Sequence, residues 1–247
     1  MKYLILSDIH GNLEALQAAL LEVRSVKIDK YVILGDLVGY GASPNEVVNL
    51  VRKMNPIVAV RGNHDKVAAG LSDGRDFNYA ARDAALWTRM ELSSENRGYV
   101  AHLPQGPVEV DGLFDIVHGA PWDEDYYIFQ WWQAQAVLQR TDKQLTFFGH
   151  THVPVIWMSE DDGELRGEAI PDEYYEHSLE EDKRYLINPG SVGQPRDHNP
   201  KAALAILDTD EMKMRFFRIE YNIEGAQAKI RQAGLERYLA GRLAVGR

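Results

Sequence analysis

The chain has 247 residues and contains no cysteine. Disulfide bonds and thiolate metal ligands are therefore excluded, because both require a cysteine sulfur. A metal ion bound by this protein must be held by carboxylate, amide and imidazole side chains together with water.

Long apolar runs are absent as well. No stretch approaches the roughly 18 consecutive apolar residues that a membrane-spanning helix needs. The apolar run at residues 3–6 is too short for the apolar region of a signal peptide. We therefore expect a cytoplasmic protein without a membrane partner.

Positive charge is in short supply, with 27 Lys and Arg residues against 37 Asp and Glu residues and a formal net charge of −10. A surface this acidic repels a phosphate backbone, so we do not expect a nucleic-acid duplex as a partner. A small anionic substrate would need a local source of positive charge. Bound metal ions are one such source.

The sequence does contain a regular alternation of apolar runs and amphipathic segments. KYLIL, KYVIL and PIVAV predict three buried strands, separated by helices over residues 12–23 and 43–54. This alternation is typical of an α/β protein, in which helices cover a parallel sheet. Further along the chain, the Asp111–Gly112 pair between two apolar runs predicts a hairpin turn.

The remaining patterns indicate how the chain is organised. We expect one domain over residues 1–247, because no repeat or linker is evident. It has a helical insertion around 66–104 and a C-terminal helix around 223–243. Residues 160–183 are acidic and irregular, which favours an exposed excursion.

Polar residues concentrate in the loops that follow the apolar runs. The motifs are SDIH, GD, GNHD, HG and GHTH, and they contain five of the eight histidines. Loops at the carboxyl ends of parallel strands converge on one crevice, so these side chains are expected to meet. Seven of them are oxygen or nitrogen ligand candidates: Asp8, His10, Asp36, Asn63, His118, His150 and His152.

Each of these residues alone has a structural explanation as a helix cap, a turn residue or a buried histidine. Five such clusters together favour a metal site. Two divalent ions about 3.5–4 Å apart can stabilise both the attacking and the leaving oxygen of a displacement at phosphorus. An aspartate can bridge two ions at that spacing, and mixed carboxylate and imidazole ligands suit Mn, Fe, Zn or Ni better than Ca.

In this order the motifs resemble those of the calcineurin-like metallophosphoesterase superfamily. The resemblance spans about residues 7–195 and includes the loop NPGSVGQPRD. It implies a four-layer α/β/β/α sandwich of two mixed β-sheets flanked by helices. It also implies two divalent ions, with Mn²⁺ the favoured metal and Fe, Zn or Ni as alternatives.

The resemblance also implies roles for individual residues. His64 matches the catalytic histidine, which stabilises the transition state or protonates the leaving oxygen, and Asp65 orients it. The ligands implied for one ion are Asp8, His10, Asp36 and His152, and those implied for the other are Asp36, Asn63, His118 and His150. The implied reaction is hydrolysis of a phosphodiester, or also of a phosphomonoester, by a hydroxide that bridges the metals.

The substrate is less closely defined. Related protein phosphatases and diadenosine tetraphosphate hydrolases follow their GD with D-R-G, whose arginine binds phosphate, whereas this chain has GDLVGYG. Its motifs are closer to the YfcE-like phosphodiesterases of bacteria and archaea, which typically hydrolyse model phosphodiesters with Mn or similar ions. For this chain we expect a small phosphate-ester substrate, with nucleotide-derived esters as one candidate class. Arg61 and Arg196 are candidate substrate-binding residues in place of that arginine, or members of surface ion pairs.

The aromatic stretch Trp122–Trp132 could stack on a base or an aryl group, or could pack into the wall of a pocket. Two functional alternatives also remain. One is a phosphomonoesterase or protein phosphatase. The other is a non-catalytic scaffold with this fold, against which the presence of His64 and of every ligand residue argues.

Overall fold

The computed structural model describes residues 1–159, 164–171 and 173–247. Within these residues the strands and α-helices form two six-stranded sheets with helices on their outer faces. The strands in chain order are β1 (Lys2–Leu6), β2 (Lys30–Ile33), β3 (Val58–Ala59), β4 (Val108–Val110), β5 (Phe114–Ile116), β6 (Leu145–Phe147), β7 (Val155–Ser159), β8 (Leu165–Ala169), β9 (Tyr175–Ser178), β10 (Tyr185–Asn188), β11 (Ala202–Asp208) and β12 (Lys213–Ile219).

The α-helices alternate with these strands in the first half of the chain and close the C-terminal end. No helix among the described residues is long and apolar enough to cross a membrane. The helices are α1 (Leu13–Glu22), α2 (Pro44–Met54), α3 (Asn63–Ala69), α4 (Tyr79–Glu91), α5 (Ser94–Ala101), α6 (Trp131–Leu138), α7 (Ile223–Gln232) and α8 (Arg237–Leu243).

Both sheets are mixed. The first has the order β3-β2-β1-β11-β12-β9, in which β1, β2 and β3 run parallel and β11 pairs antiparallel with β1. The second has the order β4-β5-β6-β10-β7-β8, in which β5, β6 and β10 run parallel. The prediction of two mixed sheets flanked by helices is confirmed.

Strand β1 shows how the sequence pattern builds these layers. Its side chains alternate between the two faces of the first sheet, as they do in any strand. Tyr3 and Ile5 lie in the core between the two sheets, whereas Leu4 and Leu6 lie in the core beneath α1 and α2. Because both faces are covered, the strand reads as a continuous apolar run.

The outer face of the second sheet is covered by α6. Ala134, Val137 and Leu138 of this helix pack with Phe148 and Leu186. Burial of one such large apolar side chain contributes about 1.5–3 kcal/mol. The layers are therefore α1 and α2, the first sheet, the second sheet, and α6.

The hairpin predicted at Asp111–Gly112 is confirmed. Strands β4 and β5 pair antiparallel on either side of it. Asp111 and Gly112 both have positive φ angles, 52° and 73°. Both central residues of a type I′ turn need this conformation, which Asp-Gly accommodates.

Two predictions of secondary structure were wrong. Residues 160–183 were expected to be an irregular excursion, but β8 and β9 lie in this range and extend the edges of the two sheets. Both strands are mostly polar and only partly buried, so they lack the apolar signal of a central strand. Residues 160–163, the start of the acidic EDDGEL run, lie outside the described residues.

The helix predicted around 223–243 is instead two helices, α7 and α8. Gly234 lies between them with a φ angle of 73°, a left-handed conformation that interrupts a helix. The two helices then pack against each other and against α4 through Ile230, Leu239 and Ala81.

Candidate metal centre

Loops from both sheets bring the seven predicted ligands together. Asp8 and His10 follow β1, Asp36 follows β2, and Asn63 begins α3 just after β3. The other three ligands come from the second sheet, where His118 follows β5, and His150 and His152 follow β6. All seven residues are buried, with side chains 0–6% exposed.

The side chains form two groups that share one aspartate. In the first group the potential ligand atoms of Asp8, His10, Asp36 and His152 all lie within 4.8 Å of one another. In the second the same holds for Asp36, His118 and His150.

Distances within these groups are those of side chains facing a common point. Asp36 Oδ2 is 3.5 Å from His10 Nε2 and 3.4 Å from His118 Nε2. Asn63 joins the second group, with its Oδ1 3.3 Å from His118 Nε2. Asp36 therefore lies where a ligand common to two ions would lie.

The hydrogen bonds of the imidazole rings determine which nitrogen is available. The Nδ1 atoms of His10, His118 and His152 lie 3.1, 2.8 and 2.6 Å from the carbonyl oxygens of Val38, Leu34 and Gln194. A carbonyl oxygen only accepts, so each Nδ1 carries the proton. In a neutral ring Nε2 is then left with a free lone pair. His150 has the opposite arrangement, because its Nε2 donates to the carbonyl of Asp125.

Two observations show that these residues fit a bound cation. His10 Nε2 and His152 Nε2 are 3.0 Å apart, although both are lone-pair atoms in the neutral rings just described. Asp36 Oδ2 is buried and accepts no hydrogen bond. Electron-rich atoms that face one another without a proton between them are stabilised by a positive charge placed between them.

The protonation equilibria of the site follow from burial and from neighbouring charges. Burial lowers the pKa of His10, His150 and His152 well below the usual value, which keeps these rings neutral. Neutral imidazole is the form that binds metals.

The carboxylates and His118 behave differently. Burial raises the pKa of Asp8 to about 6. For Asp36, burial is outweighed by the positive charge of His118, which holds the pKa of this carboxyl well below its usual range. Burial opposes the charged form of His118, but Asp36 raises the pKa of this ring to about 10. Asp36 is thus a fully ionised carboxylate at the centre of the site.

The ligand loops have an unusual backbone conformation. Non-glycine residues seldom adopt positive φ angles, and such residues concentrate at functional sites. Here five of the seven candidate ligands do so: Asp8, His10, Asp36, His150 and His152, with φ angles of 52°, 49°, 51°, 66° and 60°.

Hydrogen bonds between the loops maintain this conformation. Asp8 N donates to Gly35 O at 3.1 Å, and His10 N donates to Asp36 O at 2.9 Å. Gly62, which precedes Asn63, approaches Asp36 so closely that a Cβ atom there would overlap with Asp36 Oδ1. The glycine of GNHD is therefore required by close packing against the shared aspartate.

His64 lies beside the metal ligands. Its ring centroid is 5.0 Å from that of His10, 4.2 Å from that of Tyr40 and 4.6 Å from that of Phe77. Its main-chain N–H donates to Asp36 Oδ1 at 2.9 Å, and its Nδ1 is buried without a hydrogen bond. Burial lowers the pKa of His64 to about 4.

Asp65, which is predicted to orient His64, is itself held by the main chain. Its carboxylate accepts from the main-chain N–H groups of Gly62 at 3.1 Å and Val38 at 3.2 Å. Asp65 is the third residue of α3, and from there a side chain reaches back to the unpaired N–H groups at the start of the helix. Burial raises the pKa of this carboxyl to about 7. Asp65 thus fixes the loop that carries His64.

The two predicted substrate-binding arginines are placed differently. Arg61 pairs with the buried Glu124, with Nη2 2.9 Å from Oε1 and Nε 3.1 Å from Oε2. Arg196 lies over the ring of Tyr40, with Cζ 5.6 Å from the ring centroid. Arg196 therefore borders the candidate centre, whereas Arg61 is engaged by a carboxylate.

A cavity of about 240 Å³ opens beside the site and is lined by His64 and His150. Tyr127, from the predicted aromatic stretch, also lines it and lies 3.9 Å from His150 between ring centroids. Tyr40 and Phe77 complete its aromatic walls. Tyr40 and Phe77 were not predicted as site residues, because no motif marks an aromatic residue that folding brings to a cavity.

Comparisons with known proteins agree with this geometry. Residues 1–212 match the family model of the calcineurin-like phosphoesterase superfamily domain. The chain is 39% identical over 250 residues to the uncharacterized protein MJ0912 of Methanocaldococcus jannaschii, covering 98% of this chain and 97% of that protein. It is 26% identical over 223 residues to phosphodiesterase YfcE of Escherichia coli K12, covering 87% of this chain and 91% of that one.

A crystal structure of a metallophosphoesterase from Sphaerobacter thermophilus is 39% identical to this chain. It superposes with a TM-score of 0.88, covering 100% of this chain and 99% of that one. The chain thus belongs to the calcineurin-like phosphoesterase superfamily, and it is a metal-dependent hydrolase of phosphate esters. The family resemblance predicted from the loop motifs is confirmed.

Proposed function

We propose that residues 1–247 form one catalytic domain, a dinuclear-metal phosphoesterase that prefers phosphodiesters and also accepts phosphomonoesters. The observation that carries this proposal is the position of Asp36. This carboxylate belongs to both ligand groups, and its Oδ2 is buried without a hydrogen bond. A shared aspartate suits two ions at the spacing used for displacement at phosphorus.

The seven ligands would hold the two ions, with Asp8, His10 and His152 on one side of Asp36, and Asn63, His118 and His150 on the other. When bound, the ions supply an activated water and withdraw charge from the phosphoryl oxygens. The mixture of carboxylate, amide and imidazole donors supports Mn²⁺, with Fe, Zn or Ni as alternatives. The main-chain carbonyls that hold the rings fix the direction of each ligand lone pair.

His64 would act on the phosphate ester directly. It lines the cavity, and the rings of Tyr40 and Phe77 limit its movement. From this position the neutral ring could donate a hydrogen bond to a phosphoryl oxygen. It could donate a proton to the leaving oxygen once the negative charge of a bound phosphate had raised its pKa, which burial lowers to about 4. Asp65 would contribute by keeping the start of α3 in place.

A preference for diesters is supported by two features. The relative in Escherichia coli is named a phosphodiesterase. The 240 Å³ cavity beside the ligands also has room for a second ester group, with the aromatic faces of Tyr127 and Phe77 to pack against it. We infer a small phosphate ester as substrate, with nucleotide-derived esters as one class.

The test is hydrolysis of bis-p-nitrophenyl phosphate and p-nitrophenyl phosphate by Mn²⁺-loaded protein, with and without a chelator. We expect chelator-sensitive cleavage that is faster on the diester. His64→Ala should retain the metals and lose about 10²–10⁴-fold in turnover, because it removes a proton donor but no ligand. His102→Ala, at an exposed histidine outside the site, is the matched control and should match the wild type.

Two results would contradict the proposal. Faster cleavage of the monoester would contradict the diester preference and favour the phosphomonoesterase alternative. No cleavage of either ester by protein that contains both metals would favour the scaffold alternative.

A further inference from the structure

Two arginines lie on the aromatic ring next to the candidate catalytic histidine. Tyr40 is 7% exposed and has a φ angle of 57°, a conformation that bulky side chains rarely adopt. Its ring packs against His10 at 4.8 Å and His64 at 4.2 Å. The guanidinium carbons of Arg196 and Arg242 are 5.6 and 5.7 Å from the centroid of the same ring. We call Arg196 and Arg242 the arginine pair.

Distant parts of the chain deliver these two residues. Arg196 lies in the loop after β10, and its main-chain N–H donates to the carbonyl of the candidate ligand His152 at 3.3 Å. Arg242 is in α8, and the residues after this helix dock on the same loop, where His198 N donates to Gly246 O at 2.8 Å. The loop and the end of the chain therefore hold the two guanidiniums in place together.

Neither guanidinium has a carboxylate side chain as a partner within the described residues. Arg196 donates to the amide oxygen of Gln194 at 2.9 Å, and its Nε is buried without a hydrogen bond. Arg242 donates to the main-chain oxygen of Arg247. The carboxylate nearest to Arg196 in sequence, Asp197, pairs with Arg218 instead.

A phosphate would complete this arrangement. The chain has ten more acidic than basic residues, yet it places two half-buried guanidiniums on one ring, and within the described residues no acidic side chain pairs with either of them. Burial, followed by the charge of Arg196, lowers the pKa of Arg242. The planar guanidinium fork binds phosphate oxygens in pairs, so a phosphate is the anion that fits two arginines best.

The arginine pair lies outside the metal ligand groups. Neither guanidinium is hydrogen-bonded to a candidate ligand side chain or to His64 in the described residues. The guanidiniums contact the site through the ring of Tyr40, and the main chain of Arg196 contacts it through the carbonyl of His152. The reacting phosphate would already be neutralised by the metal centre. A phosphate bound by the pair is therefore a different one.

We propose that Arg196 and Arg242 bind a second phosphate of the substrate, one that is not hydrolysed, and that the preferred substrates are phosphodiesters carrying an additional phosphate. This proposal rests on the proposed function for its activity readout. Arg242 acts as a specificity-determining residue, and Tyr40 is the surface on which both guanidiniums are aligned.

Two chromogenic diesters with the same leaving group test the proposal. They are the p-nitrophenyl ester of thymidine 5′-phosphate and the same compound with a 3′-phosphate. The wild type should prefer the 3′-phosphate compound in kcat/KM. Arg242→Gln should reduce that preference about 10- to 100-fold, mainly through KM, because one charge-assisted contact to phosphate is lost.

Arg237→Gln removes an exposed arginine from the same helix and is the matched control, expected to keep the wild-type preference. An equal loss on both compounds in Arg242→Gln would place this residue on the reacting phosphate and overturn the proposal. An unchanged preference would overturn it as well.

Phosphate binding without metals separates this proposal from the proposed function. Inorganic phosphate is titrated into chelator-treated protein and followed by ³¹P NMR. We expect binding that weakens about tenfold or more in Arg242→Gln but not in Arg237→Gln. If the protein cleaves neither ester, the proposed function fails while this result still supports the arginine pair. Phosphate binding that is absent, or that does not depend on Arg242, would overturn the proposal that the arginine pair binds a phosphate.

Discussion

Main-chain carbonyl oxygens determine the orientation of individual imidazole rings in the candidate metal centre. Those of Val38, Leu34 and Gln194 each fix one imidazole, so the direction of its Nε2 is set before a metal arrives. The ligand groups are thus arranged in advance, and an ion can bind without reorganising the rings. Burial keeps the rings of His10 and His152 neutral, whereas the charge of Asp36 raises the pKa of His118 to about 10.

Tyr3, a polar residue in the core away from the site, leads to a prediction about how the stability of the fold depends on pH. Tyr3 is fully buried between the sheets, and its hydroxyl donates to Asp111 Oδ2 at 2.6 Å. Lys30 lies 2.6 Å from the same oxygen, and its hydrogen bond, followed by that of Tyr3, lowers the pKa of Asp111. We expect Tyr3→Phe to lower the free energy of unfolding by about 1.5–3 kcal/mol at pH 7.

The sign of the pH dependence follows from the lowered pKa. The contribution of Asp111 is present above its unfolded pKa, about 3.9. It is lost as the pH falls through the lower folded pKa, when the carboxylate is protonated. Urea unfolding at pH 7 and at about pH 3 should therefore show a smaller difference between Tyr3→Phe and wild type at the lower pH. Tyr79→Phe, at an exposed tyrosine, is the control, and an equal difference at both pH values would contradict the account.

Single residues differ in how far the sequence predicts them. The positions of Asp8, His118 and His150 were predictable because each follows an apolar strand run within two residues. The contacts of Asp65 with Val38 and of Arg242 with Tyr40 were not, because they depend on how separate loops and a C-terminal helix pack. The local sequence pattern therefore predicts candidate ligands, but it predicts very little about the residues that pack around them.

The loop between β3 and α3 is the element that joins the candidate ligands to the candidate catalytic histidine. It contains Gly62 and continues into the first turn of α3, where Asn63 and His64 lie. The turn is held by Asp65 and by the hydrogen bond from His64 N to Asp36. A change in this loop should therefore disturb the metal site and the fold together.

We predict that Gly62→Ala lowers both metal content and stability. Its Cβ would overlap with Asp36 Oδ1 and lie 2.5 Å from Asp36 N, so the shared aspartate must move. The expected loss of unfolding free energy is about 1–3 kcal/mol, typical of an overpacked core. The measurements are thermal unfolding and the metal content of Mn²⁺-loaded protein.

Gly98→Ala is the matched control. Gly98 lies inside α5, and a Cβ atom there would meet nothing within 4 Å. Alanine favours a helix over glycine by roughly 1 kcal/mol, so this variant should be neutral or slightly more stable. A Gly62→Ala protein with wild-type metal content and stability would show that the close approach to Asp36 is not needed.

Strands and helices were predictable where the apolar residues of a segment recur with a single period. The buried strands β1 and β2 and the amphipathic α2 follow directly from apolar spacing. The edge strands β8 and β9 were missed because they are polar and partly exposed. The break at Gly234 was missed because apolar positions continue on both sides of it.

At the scale of the whole molecule, the site depends on both sheets. Asp8 and Asp36 follow strands of the first sheet, and His118 and His150 follow strands of the second. The core between the sheets, which contains Tyr3, therefore fixes the distance between the ligands that follow the first sheet and those that follow the second. Since the ligands converge only in the folded chain, metal binding should stabilise the entire protein against unfolding.

The central claim is that two metal ions share Asp36. The most direct measurement is the number of Mn²⁺ ions that remain bound to each chain after gel filtration, determined by mass spectrometry of the metal. We predict two ions per chain in the wild type, and loss of bound metal in Asp36→Asn, which lacks the charge of the shared ligand. One ion per chain in the wild type, or two tightly bound ions in Asp36→Asn, would contradict the account.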